Sequence, residues 1–120
     1  MNTRIIIPRR GEIWNVNLDP TEGAEIKKTR PAVVINSDGV AKLSIRLIAP
    51  ITEWKPKFAN NIWLVKISPT SKNGLQKESA VDTLQLRGVD TSRFVDKLGE
   101  VDAGTLEEIA AAVAAVVEYE

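Results

Sequence analysis

The residue best suited to chemistry in this chain is Arg30, which lies at the edge of a predicted buried strand. Pro31 biases the backbone of Arg30 towards an extended conformation, and the apolar residues 32–35 follow directly. A guanidinium held there keeps its charge and presents a planar set of donors that suits a phosphate. We therefore expect Arg30 to bind a phosphate group. The alternative is an ion pair with Glu25 or Asp19 that fastens the charged loop before the strand.

Two further residues suit phosphoryl chemistry. Thr52 lies just beyond Pro50, where a predicted strand can no longer donate to a ladder, so its hydroxyl could hold a phosphoryl oxygen while negative charge develops there. Glu25 is a candidate general base for a ribose 2′-hydroxyl, because the chain has no histidine. The nearby Lys27 and Lys28 would weaken it as a base. The alternatives are an inert strand-end threonine and a loop carboxylate that pairs with its neighbours.

The segment EWKPKF, residues 53–58, interleaves aromatic and basic side chains. Trp54 and Phe58 flank Lys55 and Lys57, a pattern that suits stacking on unpaired bases together with attraction for phosphates. The alternative is that the rings fold back and cover the core. We expect one ring to stack and the other to pack.

The segment LQLRGVD, residues 84–90, places Gln85 and Arg87 two residues apart. On one continuous strand these two side chains share a face. We expect Arg87 to form a structural or interface ion pair with Asp90.

Composition excludes several kinds of site. The chain has no histidine and no cysteine, so the usual zinc sites and disulfides are excluded. No glycine-rich phosphate loop and no carboxylate cluster spaced for magnesium is present, and we expect neither a metal nor a cofactor. The apolar run before Pro8 has only three isoleucines, too few for a signal peptide or a membrane span. These features predict a cytoplasmic protein.

The charge distribution indicates an anionic partner for the first half of the chain. The net charge is zero, but residues 1–60 carry ten Lys/Arg and six Asp/Glu, and residues 61–120 carry the reverse. The half that contains Arg30 is therefore basic by four charges. Overall neutrality argues against non-specific coating of DNA.

The 120 residues suit one domain, and we predict a mobile arm over residues 1–9 and a single domain over 10–120. Hydrophobic patterns predict five strands, followed by a short helical turn at 91–94 and a helix at 105–119. The predicted strands cover residues 11–18, 31–36, 42–52, 61–67 and 79–89. These elements predict a mainly β fold, a small curled barrel with a packed C-terminal helix.

Two of these elements carry detailed expectations. In residues 42–52, Leu43, Ile45 and Leu47 face one way, whereas Ser44 and Arg46 face the other. The C-terminal helix should begin at an N-cap, for which we expect Asp102, with a capping box of Thr105 and Glu108 as the alternative.

The motifs GEIW, DP, GxE, RPAVVI and PIT, in this order and followed by LQLRGVD, resemble the PemK/MazF family of bacterial toxins over about residues 9–118. The resemblance implies an SH3-like barrel of the CcdB/Kid/MazF type with a C-terminal helix, and a homodimer. It also implies the toxin of a type II toxin–antitoxin system that is inhibited by a small acidic antitoxin. The implied activity is sequence-specific, metal-independent cleavage of single-stranded mRNA.

The resemblance also assigns roles to residues. The family's essential arginine falls on Arg30, its essential threonine on Thr52, and the acidic residue of its first loop on Glu25. The implied reaction is attack of a 2′-hydroxyl on the adjacent phosphate. The expected RNA contacts are Lys27, Lys28, Trp54, Lys55 and Gln85. Two alternatives stay open: a barrel that binds nucleic acid without cutting it, and a gyrase poison like CcdB.

Overall fold

The computed structural model describes residues 5–40 and 42–119. Within these residues the chain forms seven strands and one α-helix. They are β1 (Glu12–Asn17), β2 (Thr29–Val34), β3 (Ile45–Glu53), β4 (Leu64–Ile67), β5 (Ser79–Asp82), β6 (Arg87–Asp90), β7 (Phe94–Glu100) and α1 (Ala103–Val116). The sheet has the order β4-β5-β3-β2-β1-β7, with β6 beside β3, and the paired strands are antiparallel. The predicted mainly β fold with a C-terminal helix is confirmed.

Strand β3 organises the sheet because it pairs with three other strands. It pairs with β6 through residues 45–48, with β2 through residues 48–50 and with β5 through residues 51–53. The pairing with β2 ends at Pro50, which has no amide hydrogen to continue a ladder. Beyond this residue β2 and β3 separate.

The predicted strand over residues 79–89 is wrong as a single element. A 3-10 turn, Thr83–Gln85, divides it into β5 and β6. The turn begins where the Asp82 side chain accepts a hydrogen bond from the Leu84 amide at 3.0 Å, a local bond that competes with the ladder. Gln85 therefore lies in a turn and does not share a strand face with Arg87.

Strand β3 begins at Ile45, so Leu43 and Ser44 precede it and both are exposed. The predicted alternation is present from Ile45 to Leu47, but its apolar face is on the outside. Leu43, Ile45 and Leu47 are 60%, 49% and 38% exposed, whereas Arg46 is 1% exposed. The Arg46 guanidinium donates through Nε to the Pro8 carbonyl at 2.9 Å and through Nη1 to the Leu43 and Ile45 carbonyls. Backbone carbonyls thus hold this buried cation, and Leu43, Ile45 and Leu47 form an exposed patch, which we call the apolar patch.

The predicted N-terminal arm lies partly outside the described residues, which begin at Ile5. Residues 5–9 form no helix or strand. Pro8 is nevertheless buried, and the Arg9 amide donates to Glu12 Oε1 at 2.8 Å. This part of the arm packs against the sheet.

The core lies on both faces of the sheet. On one face Ile109 and Ala112 of α1 cover Ile13, Val33 and other apolar residues. On the opposite face lies a second cluster, which consists of Trp14, Val16, Leu18, Ala32, Val34, Ile48, Val89 and Phe94. Both faces of β1 and β2 are therefore buried, which makes them firm supports for any side chain at their ends.

Helix α1 was predicted over residues 105–119 and spans Ala103–Val116, with the predicted residue at its N-cap. The Asp102 side chain accepts a hydrogen bond from the Thr105 amide at 2.7 Å, so the predicted N-cap is confirmed and the capping box is not needed. In the part of the chain that the structure describes, no helix is long and apolar enough to cross a membrane.

Candidate active site

The candidate site lies where β2 and β3 stop pairing. Their last paired residues are Ala32 and Pro50, and the same register continued by two residues would set Thr52 opposite Arg30. Instead, at these positions β2 pairs with β1 and β3 pairs with β5. The two strands separate, and the side chains of Arg30 and Thr52 border the gap between them.

A cavity of about 440 Å³ occupies this gap, and both Arg30 and Thr52 line it. We call it the Arg30 cavity. Lys55 and Lys77 also line it, and Lys77 Nζ lies 3.5 Å from a carboxylate oxygen of Glu53. Arg30 and Lys55 leave the cavity cationic, which suits an anionic ligand.

The Arg30 side chain is exposed and Nε donates to the Lys27 carbonyl at 3.3 Å. Of the three ion pairs found among the described residues, none involves Arg30. The alternative of an ion pair with Glu25 or Asp19 is therefore not observed. Terminal guanidinium nitrogens on the rim of a cavity can bind two oxygens of a phosphate at once.

Apolar side chains line part of the Arg30 cavity, and one of them is Leu98 of β7. In the β1–β7 pairing, Ile13 pairs with Gly99 and Trp14 with Lys97, so Leu98 is the extra residue of a bulge. Bulges re-aim side chains and are common beside active sites. The sequence prediction did not include β7, and hence it missed Leu98.

The loop of residues 68–77 forms one wall of the Arg30 cavity, through Gly74, Leu75 and its neighbours. Buried Asn73 fixes the loop internally, since it donates to the Ser68 carbonyl and accepts from the Thr70 and Leu75 amides. The loop also lies directly on β7, and the Glu100 amide donates to the Lys72 carbonyl at 2.9 Å. This wall is therefore preformed.

Glycine permits this close approach of the loop to β7. A Cβ atom on Gly99 would lie 2.2 Å from the Lys72 carbonyl oxygen and 2.7 Å from the Asn73 carbonyl carbon. Backbone atoms cannot retreat as the end of a flexible side chain can. The glycines and Asn73 were visible in the sequence, but nothing in it showed which segments they bring together.

We expect Gly99→Ala to lower the free energy of unfolding by about 1–3 kcal/mol, because overpacking forces the backbone to shift. Gly104→Ala is the matched control, since a Cβ there would meet its nearest atom at an ordinary 3.6 Å. Urea denaturation of the two variants measures the difference. Equal stability of Gly99→Ala and Gly104→Ala would contradict the close approach.

Glu25 does not line the Arg30 cavity. It lines a second cavity of about 670 Å³ together with Gln85 and Arg87, which we call the Gln85 cavity. Glu25 Oε1 accepts a hydrogen bond from the Glu22 amide at 2.6 Å, so this bond lies within the loop that carries Glu25. The structure thus brings Arg30 and Thr52 together and places Glu25 apart from them.

Both ends of the Gln85 amide are bonded within the chain. Oε1 accepts from the Ile26 amide at 2.6 Å, and Nε2 donates to Asp82 Oδ2 at 3.1 Å. Burial raises the pKa of the Asp82 carboxyl, while the hydrogen bonds from Leu84 and Gln85 act in the opposite direction. Gln85 therefore joins the loop that precedes Arg30 to a buried carboxyl group.

The ion pair expected between Arg87 and Asp90 is not present among the described residues. Arg87 Nη1 donates instead to the Leu18 carbonyl at 2.9 Å. Asp90 accepts from the Ser92 amide at 2.8 Å and caps the turn Thr91–Arg93. That turn is the one predicted at residues 91–94.

Of the predicted RNA contacts, Lys55 lines the Arg30 cavity, whereas Lys27 and Lys28 are exposed on the loop before it. The half-buried rings of Trp54 and Phe58 meet edge to face, with centroids 5.9 Å apart. Lys66 Nζ lies 5.2 Å from the centre of the Trp54 ring, a cation–π contact. In the chain alone these two rings pack on each other.

Comparison with known proteins places these features in a family. The family model described as "PemK-like, MazF-like toxin of type II toxin-antitoxin system" matches residues 9–117. Endoribonuclease MazF9 of Mycobacterium tuberculosis is 33% identical over 107 residues, which cover 84% of this chain and 88% of the relative.

Solved structures show the same fold. MazF from Deinococcus radiodurans superimposes with a TM-score of 0.77 at 23% identity, over 95% of this chain and 99% of the other. An endoribonuclease from a mycobacterial species, solved with its cognate antitoxin, gives 0.74 at 18% identity, over 94% and 97% of the two chains. The predicted barrel of the MazF type is confirmed by these neighbours.

Proposed function

This chain belongs to the PemK-like, MazF-like toxin family of type II toxin–antitoxin systems, and from that membership we propose that it is an endoribonuclease that cleaves single-stranded mRNA within a short sequence motif. The observation that carries the proposal is the cationic cavity between β2 and β3, lined by an exposed Arg30 and by Thr52. A positive cavity with a hydroxyl group suits a phosphodiester.

The proposed reaction is an intramolecular transesterification. The ribose 2′-oxygen attacks the adjacent phosphorus and loses its proton to a base, while the bond from phosphorus to the 5′-oxygen breaks and that oxygen gains a proton. The products are a 2′,3′-cyclic phosphate and a free 5′-hydroxyl. Arg30 would stabilise the negative charge of the pentacovalent state, and the Thr52 hydroxyl would donate to a phosphoryl oxygen.

Glu25 is the proposed general base. It lies on the Gln85 cavity, so it would act on an RNA strand that occupies both cavities. The proposed RNA contacts are Lys27, Lys28, Trp54, Lys55 and Gln85. Gln85 would use the lone pair and the amide hydrogen that its two internal bonds leave available.

Incubation of the purified protein with mixed-sequence RNA in EDTA tests the function. We expect discrete cuts with 2′,3′-cyclic phosphate ends, because arginine and a hydroxyl supply the charge stabilisation without a metal ion. RNA that is bound and stays intact would favour a non-catalytic barrel, and inhibited gyrase supercoiling with intact RNA would favour a CcdB-like poison. Either result would contradict the proposal.

We propose that two copies of the chain pair through the apolar patch. Leu47 of the patch also lines an apolar cavity of about 210 Å³ against Leu106, Ile109 and Val113. The patch thus continues onto one side of α1, and a continuous apolar surface of this kind favours association. A second copy would cover it across a two-fold axis.

Ile45→Lys should raise the dissociation constant of the homodimer by roughly 30-fold or more, since it buries a charge at the centre of the apolar patch. Ile62→Lys is the control, because Ile62 is 66% exposed and lies outside the patch. Sedimentation velocity over a concentration series measures both. A dimer that is as strong in Ile45→Lys as in the control would place the interface elsewhere.

The inhibitor would be an acidic antitoxin. One structural neighbour was solved with its cognate antitoxin, and the Arg30 cavity is cationic. We propose that a small, partly disordered acidic chain folds into this cavity when it binds, and that the toxin acts in the cytoplasm, where its substrate is found.

A further inference from the structure

Three side chains from residues 85–93 hold the loop that precedes Arg30, which we call the β1–β2 loop (residues 18–28). Arg93 donates to the Asn17 and Asp19 carbonyls, and Arg87 donates to the Leu18 carbonyl. These bonds fix only the start of the loop. Its return limb is held at Lys28, whose amide donates to Asp19 Oδ1 at 3.0 Å and whose carbonyl accepts from the Leu18 amide at 2.9 Å. At Ile26 it is held by Gln85, which accepts a hydrogen bond from the Ile26 amide.

The orientation of the Gln85 amide is set by Asp82. A carboxylate only accepts hydrogen bonds, so the NH2 group of Gln85 must face Asp82 Oδ2, 3.1 Å away. The amide oxygen then points to the Ile26 N–H, 2.6 Å away. The second oxygen of Asp82 is occupied by the Leu84 amide. The turn after β5 therefore holds the Gln85 amide oxygen in a fixed orientation, in which it accepts a hydrogen bond from the loop.

The Ile26 backbone lies one residue from the contact that holds Arg30. Its side chain is half-buried against the second core cluster, and the next residue, Lys27, offers the carbonyl to which Arg30 Nε donates at 3.3 Å. The Arg30 backbone is held by its pairing with Val16, so movement of Ile26 would act on the guanidinium by shifting the Lys27 carbonyl that orients it. The chain of contacts runs from Asp82 through Gln85, Ile26 and Lys27 to Arg30.

We propose that Gln85 is a positioning residue for RNA cleavage: it fixes the return limb of the β1–β2 loop at Ile26 and thereby sets the place of the Arg30 guanidinium. This inference rests on the proposed endoribonuclease function. It gives Gln85 a role beyond RNA contact. An RNA contact contributes mainly to binding, whereas a positioning residue contributes to the rate of the bound complex.

Gln85→Met tests the proposal because methionine has a similar length and volume but cannot bond to Ile26 or Asp82. Hydrogen exchange should show about 10-fold less protection of the Ile26 amide, with little change in the global unfolding transition. At saturating RNA, kcat should fall by roughly 10-fold or more, a loss that removal of an RNA contact alone would not cause because it would raise KM instead. A role in overall stability alone would not change a single loop amide selectively.

Gln76→Met is the matched control for hydrogen exchange, since Gln76 is the other glutamine of the chain and lines the Arg30 cavity instead. It should leave the protection of Ile26 unchanged. Unchanged protection of Ile26 in Gln85→Met would overturn the proposal, and so would lost protection with an unchanged kcat. If the wild-type protein does not cleave RNA, the endoribonuclease proposal fails, and the exchange result still decides whether Gln85 fixes the loop.

Discussion

Arg30→Ala should reduce the rate constant of RNA cleavage by ~100-fold or more, because it removes the cation that we propose faces the developing charge on the phosphate. The fold should be retained. Arg30 is exposed, and the bond that its side chain makes within the chain is a 3.3 Å contact with the Lys27 carbonyl. Single-turnover cleavage of a short RNA, together with circular dichroism, measures both quantities.

Two further variants sharpen the Arg30 experiment. Arg30→Lys keeps the charge but loses the planar pair of donors, so its rate should lie between those of the wild type and Arg30→Ala. Arg9→Ala removes another exposed arginine that does not line the Arg30 cavity and should cleave at the wild-type rate. Cleavage by Arg30→Ala at the wild-type rate would show that Arg30 does not take part in the reaction.

Arg46→Ala should lower the free energy of unfolding by about 3 kcal/mol or more. The substitution empties the volume of a side chain that is 1% exposed, and it takes the donors from the Pro8, Leu43 and Ile45 carbonyls. Urea denaturation at one fixed protein concentration measures the effect, because the stability of the proposed dimer would depend on concentration.

Comparison with Arg46→Met separates packing from hydrogen bonding. Methionine fills much of the same space but has no hydrogen-bond donors. The difference in unfolding free energy between Arg46→Ala and Arg46→Met therefore measures the cost of the cavity. The difference between Arg46→Met and the wild type measures the cost of the carbonyls left without their donor. Arg9→Ala again serves as the exposed control. A change below about 0.5 kcal/mol in Arg46→Ala, the range of ordinary surface substitutions, would contradict the role of Arg46 in holding residues 5–9 to β3.

The sequence was sufficient to predict Arg30 and Thr52, two of the residues that line the Arg30 cavity. Pro31 favours an extended backbone at Arg30, and Pro50 cannot donate to a ladder, so an extended Arg30 and an interruption of pairing near Thr52 were predictable. The closeness of Arg30 and Thr52 was not predictable, because it depends on the register of an antiparallel pair that forms between distant segments. The last β2–β3 pair is Ala32 with Pro50, and the separation of the two strands just beyond it leaves Arg30 and Thr52 on the border of one cavity.

The errors in the fold have particular causes. Strand β7, FVDKLGE, carries charged residues and a glycine and is buried at Phe94 only, so no apolar face predicted it. The break after β5 follows from a single Asp82 hydrogen bond that the strand pattern does not report. Alternation in β3 predicted that Arg46 and its apolar neighbours face opposite ways. It could not show that Arg46 would be buried against Pro8 and that Ile45 and Leu47 would be left exposed.

The close contact between the 68–77 loop and β7 has a consequence for how this sequence can vary. Gly74 has a φ of 70°, and a Cβ there would lie 2.2 Å from the Leu98 carbonyl oxygen, although the residue is exposed. A survey of replacements at every position would find this surface glycine as intolerant as an interior one. Most exposed positions of this protein should therefore tolerate substitution during evolution. Position 74 should remain glycine although it is exposed to solvent.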